Sequence, residues 1–203
     1  MQQRIHMNTE SLQDSFPSVY KEFFSRCSIV TSTPGIFYWT GEYVVNFGGP
    51  AITQKLPVRI FVGIQPYSPK SCVKLEDTQY YIPSNKKFEV IEMDAFTRKE
   101  REKYMTELLK RLTGCDDFPG FKVHVIFEVP RACGLSASSC FASALMAAVF
   151  LYIGKLTMDQ YWESQKLSID DLVYKSEIFD LLFRESEFEP GHFARVGPKG
   201  RGA

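Results

Sequence analysis

The chemistry of this 203-residue chain is concentrated in one short run, Cys133, Gly134, Leu135, Ser136, Ala137, Ser138 and Ser139. An extended apolar segment, FKVHVIFEVP (121–130), leads into it, and an Ala-rich helix over 138–152 leads out. A strand that ends in Gly and Ser and enters a helix presents backbone N–H groups with the positive end of the helix dipole behind them, which makes an anion site. Gly134 lets a ligand approach the main chain, and the small residues at 136 to 139 let the loop wrap a phosphate. A serine hydroxyl at the helix start reaches a Mg2+ ion bound to that phosphate. The chain lacks the G-x-x-x-x-G-K-[ST] phosphate-loop pattern, and Gly and Ser before a helix also serve as an ordinary N-cap, so both readings stand.

The elements that must position this run follow from periodicity. SLQDSFPSVYKEFFSRC (11–27) reads as an N-terminal helical segment with Pro17 near a helix start, and SIVTS (28–32) as a short strand. TPGIFYWTGEYVVNFGGPAI (33–52) reads as a Gly- and Pro-punctuated loop with short extended pieces. LPVRIFVGIQPY (56–67), QYYIP (79–83) and KKFEVIEM (86–93) are strand candidates. The segment 97–114 is a helix with Tyr104, Leu108, Leu109 and Leu112 on one face and Gly114 at its end. In 121–130, Val123, Val125 and Phe127 share a face, which puts His124 on the surface side. Further helices are expected over 158–165 and 169–184. Strands early and helices late predict an α+β domain with the helices on one face of a mixed sheet.

Composition bounds the function. Hydrophobic residues make up 44% and aromatics 14%, enough for a core, while 24 basic and 24 acidic residues cancel to a net charge of zero. That balance argues against nucleic acid or an acidic membrane as partner. An RNA-binding module of the same architecture is the weakest reading on that ground. Five cysteines, Cys27, Cys72, Cys115, Cys133 and Cys140, are odd in number and lack zinc spacing, as expected of reduced thiols in the cytoplasm. The start is polar, without the apolar core of a signal peptide, and the apolar stretch 141–153 is too short for a bilayer.

Two segments together resemble one family. PRACGLSASSCF (130–141) is similar to the P-x-x-x-G-L-G-S-S-[AS] phosphate loop of the GHMP kinases, the superfamily of galactokinase, homoserine kinase, mevalonate kinase and phosphomevalonate kinase. TPGIFYWTGEYVVNFGGPAI (33–52) resembles that family's first motif, A-P-G-[KR]-x-x-x-x-G-E-[HY]. The resemblance spans roughly residues 28–155 and implies an N-terminal domain of the ribosomal protein S5 domain 2-like type. It implies an ATP- and Mg2+-dependent transfer of the γ-phosphate to a hydroxyl or phosphate of a small metabolite. The ATP phosphates would sit on Pro130, Arg131, Ala132, Cys133, Gly134, Leu135, Ser136, Ala137, Ser138 and Ser139, with Ser138 as the Mg2+ contact. Gly134 and Leu135 match the G-L pair, whereas Ser136 stands where the family usually has Gly and Ala137 where it usually has Ser. Pro34, Gly35, Gly41, Glu42 and Tyr43 match the first motif, and Gly41, Glu42 and Tyr43 would face the substrate. Glu42 either accepts bonds from substrate hydroxyls or holds its own loop.

Three departures bear on activity. Ile36 replaces the basic residue of P-G-[KR], so positive charge near the transferred phosphate must come from elsewhere. Arg59 and Arg131 are candidates, although a solvated surface role suits each as well. The catalytic residue is unassigned. The family's Asp after G-x-G-x-D would follow Ala203 if GPKGRGA (197–203) opens that segment, and a disordered tail is the other reading. The expected organisation is a helical segment over 1–27 and an ATP-binding domain over 28–203, cut at its C-terminal end, with the C-terminal domain absent. None of Glu177, Glu185, Glu187 and Glu189 is singled out as a second Mg2+ ligand, and His6 and His192 are isolated. Cys133 and Cys140 flank the loop as small inert residues, and Tyr38, Trp39 and Phe47 line a pocket or fill the core. The first motif looks more like the mevalonate branch and the second more like sugar kinases of the heptose type, which leaves the acceptor open. A non-catalytic nucleotide- or metabolite-binding relative is the alternative to a kinase.

Overall fold

Alternation along two central strands makes two apolar faces. In β2 (Ile52–Pro66), Ile60, Val62 and Ile64 enter one core while Phe61 enters another. In β6 (Phe121–Phe127), Phe121, Val123 and Val125 join the first and Ile126 the second. The computed structural model describes residues 11–113, 116–130 and 133–160. Antiparallel register sets Val62 against Val125 and Ile64 against Val123, so the first face is continuous across the two strands. Ile60, Val62 and Ile64 are fully buried, each contributing about 1.5–3 kcal/mol from transfer out of water.

Among the described residues six strands form one mixed sheet. β1 (Ile29–Thr40) pairs antiparallel with β2, and β6 lies on the other side of β2. β3 (Val73–Leu75) and β4 (Thr78–Ile82) both run parallel to β6, and β5 (Lys87–Ile91) lies antiparallel beyond β4. The architecture is α+β, as expected. α4 (Ala137–Tyr152) packs on β1 and β2, its buried Ala144 and Ala148 allowing close approach. α3 (Ala95–Thr113) joins the same face through Leu109. Its buried Glu102 accepts from the Leu75 N–H at 2.9 Å and pairs with Lys74 at 2.8 Å, which offsets the cost of burying the carboxylate.

Four expectations need correction or limits. Helices cover both faces, not one: α1 (Leu12–Ser15) and α2 (Pro17–Arg26) lie across the second, where Tyr20 and Phe23 pack with Phe61 and Ile126. The segment 33–52 is not a loop throughout, because β1 continues to Thr40. Among the described residues β1 lies at the edge of the sheet, which tolerates Pro34, and the register shifts between Pro34 and Ile36, where three residues of β2 (56–58) face Gly35 alone. His124 is half-buried rather than exposed, with Nε2 2.8 Å from Gln65 Oε1, and desolvation lowers its pKa. Gly114, Cys115, the helix over 169–184 and most of that over 158–165 lie outside the described residues, as do His6, His192 and the four late glutamates. Strand β3 is too short to show alternation in sequence.

The second face depends on Gly63. A Cβ there would lie 2.3 Å from Cys27 Sγ and 3.0 Å from Phe23 Cζ, so only glycine lets α2 close onto β2. Gly63→Ala is expected to cost about 1–3 kcal/mol by overpacking, measured by urea unfolding. Unchanged stability would show that α2 does not pack on the sheet in solution.

Candidate anion-binding site

The loop begins because β6 runs out of partners. The ladder between β2 and β6 ends at Ile60 and Phe127. The Glu128 N–H still donates to the Arg59 carbonyl at 2.9 Å, and Glu128 Oε2 accepts the Arg59 N–H at 2.6 Å. Val129 is buried against Gly35, where a built Cβ would meet Val129 Cγ2 at 3.2 Å. Pro130 then offers no N–H to continue a ladder, and the chain turns away from the sheet.

Beyond it, Gly134 has φ +71° and Ser136 has φ +54°, both left-handed. Ser136 is the N-cap of α4, yet its side chain makes no capping bond; its carbonyl accepts the first helical bond, from the Cys140 N–H at 2.9 Å. An ordinary Ser cap has extended backbone and turns its hydroxyl onto the helix N–H groups. The opening N–H groups of α4 therefore keep a face without a serine cap, with the helix dipole behind them. A Cβ built on Gly134 meets nothing within 4 Å, so that side of the loop is open. Ser138 is exposed in the first turn, and Ser139 is half-buried. Leu135 and Ala137 pack inward against the core.

Three bonds fasten this loop and α4 to β1. The Ile36 N–H donates to the Leu135 carbonyl at 3.3 Å, Cys140 Sγ to the Pro34 carbonyl at 3.1 Å, and Thr31 Oγ1 to the Ala144 carbonyl at 2.6 Å. The two segments singled out in sequence are thus brought together, with the register shift of one against the loop of the other. Pro130, Cys133, Gly134, Leu135, Ser136, Ala137, Ser138 and Ser139 lie in the loop and first turn; Arg131 and Ala132 fall outside the described residues.

Gly41, Glu42 and Tyr43 lie at the turn of a hairpin that β1 and β2 extend beyond the ladder with β6. Gly41 has φ +87°, and a Cβ there would strike the Pro50 carbonyl oxygen at 2.4 Å, so this turn requires glycine. Glu42 is exposed, and Tyr43 is 75% exposed. Burial raises the pKa of Tyr38 first, and Glu42 and Cys140 raise it further. Trp39 and Phe47 are exposed rather than core residues.

Neither Ile36 nor Arg59 brings a cation to the loop. Ile36 packs against the α4 core. Arg59 donates through Nε to Ser32 Oγ at 2.9 Å and through Nη2 to the Ser32 carbonyl at 3.2 Å. Ser32 pairs with Phe61 in register, so this guanidinium lies on the α2 face and cannot serve the loop. No group of three His, Cys, Asp or Glu among the described residues forms a metal site. A cavity of about 410 Å3 between Tyr67, Lys70, Asp117, Phe118 and Tyr152 lies at the far end of α4, roughly 24 Å along a 16-residue helix from the loop, and is not part of this site.

Sequence comparison bears on the second motif, 130–141, and leaves the first, 33–52, outside its match. Residues 101–177 match the family model described as GHMP kinases N terminal domain. The chain resembles the N-terminal domain of the GHMP kinases. No curated protein matches it in sequence. Solved structures that it resembles include the Methanococcus jannaschii mevalonate kinase, 14% identical over 77% of this chain and 47% of that one, with a TM-score of 0.43. The Lactococcus lactis galactokinase complexed with galactose is 19% identical over 72% and 38%, with a TM-score of 0.46. The Streptococcus pneumoniae phosphomevalonate kinase is 18% identical over 78% and 40%, with a TM-score of 0.42. The chain spans less than half the length of each of these three structures.

The left-handed backbone explains the usual GHMP glycine at position 136 and gives two tests. Ser136→Gly removes a strain of about 1–2 kcal/mol, partly offset by glycine's flexibility, and is expected to raise Tm by roughly 2–4 °C in a thermal melt. A fall in Tm would mean that the serine side chain contributes to the native loop. Cys140 is buried with its thiol pushed up to about 11 by desolvation, whereas Cys133 is exposed. Iodoacetamide at about pH 8 is expected to label Cys133 and spare Cys140, read by peptide mass spectrometry.

Proposed function

We propose that this chain is the nucleotide-binding part of a GHMP-type small-molecule kinase, with the phosphates of ATP seated on Pro130 to Ser139. The observation that carries this is the loop itself: two left-handed residues and an uncapped helix start, locked to the Pro34–Ile36 stretch of β1 through the bond from Ile36 to Leu135. Backbone N–H groups in that arrangement suit an anion. The residues fit a phosphate by their donor set and by the open side at Gly134. Ser138, exposed beside the loop, would offer its hydroxyl to a Mg2+ ion whose remaining ligands are phosphate oxygens and water. The ion would neutralise charge on the phosphates, a role that matters more with Ile36 in place of a cation.

Glu42 and Tyr43, with Gly41 shaping their turn, are the proposed acceptor-facing residues. The acceptor class is a sugar or mevalonate-type metabolite, whose hydroxyl or phosphate would take the γ-phosphate. The helical segment 1–27, the ATP-binding domain 28–203 and a cytoplasmic setting belong to the same proposal. Among the described residues no helix is long and apolar enough to cross a membrane.

One observation favours a second reading, a nucleotide-binding relative without phosphotransfer. Ile36 is committed to the core and Arg59 to Ser32, so neither brings charge to the loop. Calorimetry with ATP, with and without Mg2+, separates the readings when joined to an assay of ADP release on hexose and mevalonate acceptors. The native chain is expected to bind MgATP, Ser138→Ala to reduce the Mg2+ dependence, and Gly134→Val, a branched residue at φ +71°, to weaken binding at least tenfold. Binding without ADP release on any acceptor supports the second reading. A folded native chain that binds no nucleotide overturns both.

A further inference from the structure

Glu128 is an acid with no place in a β-strand end that is otherwise apolar. It is 4% exposed and stands on the sheet face opposite α4. Its Oε1 accepts the Tyr20 hydroxyl of α2 at 2.5 Å, and its Oε2 accepts the Arg59 N–H at 2.6 Å. The Arg59 guanidinium in turn holds Ser32 of β1 by two bonds. One buried carboxylate therefore ties together α2, β2, β6 and, through Arg59, β1. Two residues later the chain reaches Pro130. The intervening Val129 points the other way, against Gly35.

We infer that Glu128, clasped by Tyr20 and the Arg59 N–H, is a positioning residue for the phosphate loop, and that α2 is thereby part of the nucleotide-binding apparatus. The inference rests on the nucleotide-binding reading for its functional consequence, though not for its geometry. The loop's entry is fixed at Glu128 and Val129 and its exit at Leu135, where the bond to Ile36 returns to the same strand that Arg59 grips at Ser32. Loosening Glu128 frees the entry while the exit stays tied, and the N–H groups no longer converge. Burial raises the pKa of Glu128 although the bonds from Tyr20 and the Arg59 N–H lower it, and burial followed by the Glu128 carboxylate raises that of Tyr20.

The decisive variant is Tyr20→Phe, which keeps the ring in its aromatic cluster and removes only the hydroxyl. Ile64→Val, in the core on the opposite face of the sheet and towards the other end of β2, is the control for lost stability. Hydrogen exchange of the peptide covering 133–141 in the free protein is the first readout, and MgATP affinity by calorimetry the second. Tyr20→Phe is expected to speed exchange in that peptide at least fivefold and to weaken MgATP at least tenfold, while Ile64→Val changes neither. Glu128→Gln, which keeps a single acceptor oxygen, is expected to fall in the same direction. Loop exchange in Tyr20→Phe equal to that of Ile64→Val overturns the inference and makes Glu128 a structural residue only. A native chain that binds no MgATP removes the kinase reading, and the exchange comparison alone then decides whether α2 controls the loop.

Discussion

The fold depends on the stretch of β1 from Pro34 to Ile36, where the register against β2 shifts. An edge strand normally leaves a row of N–H and C=O groups to solvent. Here the register shift turns the Ile36 N–H towards Leu135 and the Pro34 carbonyl towards Cys140, so the outer edge of β1 holds the anion loop and the first turns of α4. The lack of a side chain at Gly35 matters as much, because Val129 and Val58 fill the space beside it. A regular strand would pair its edge outward and leave α4 attached by apolar contact and the bond from Thr31 to Ala144. The register shift makes strand, loop and helix one unit.

Two buried carboxylates divide the electrostatics of the molecule. Glu102 satisfies the end of β3 and pairs with Lys74, while Glu128 satisfies the end of the ladder between β2 and β6. Each takes a backbone N–H that strand geometry leaves without a carbonyl, a common use of an acid in an otherwise apolar layer. Glu128 engages the Arg59 main chain, and the guanidinium of that residue turns to the α2 face. That guanidinium is therefore directed away from the loop, which lies against the other face.

Much of this was legible in the sequence, and the failures have physical causes. The strand within 121–130 and the helices α3 and α4 follow from alternation and helical spacing, whereas the two distant motifs were linked by their resemblance to one family. The continuation of β1 through Pro34 and Gly35 was hidden, because proline and glycine signal a loop unless the strand is known to be an edge. The docking of α2 on the second face was hidden for the same kind of reason: Gly63 looks like a weak strand residue until Phe23 and Cys27 are seen filling its space. Glu128 could have been noticed as an acid in an apolar run, but its partners, Tyr20 and Arg59, are 108 and 69 residues away. The left-handed backbone of Ser136 was signalled only by the glycine usual at that place in the GHMP kinases.

Past Ile36 the edge of β1 changes character. Phe37, Trp39, Tyr43, Val44, Phe47 and Ile52 are all exposed along this hairpin, and among the described residues no strand pairs with the outer side of β1. Thr40, Glu42, Thr53, Lys55 and the Trp39–Gln54 bond are polar features that interrupt it. An extended apolar edge is a template for strand addition between molecules. Self-association by this route rises with protein concentration and needs no unfolding, so crowding is a separate stress for this chain, one that a melting temperature does not measure.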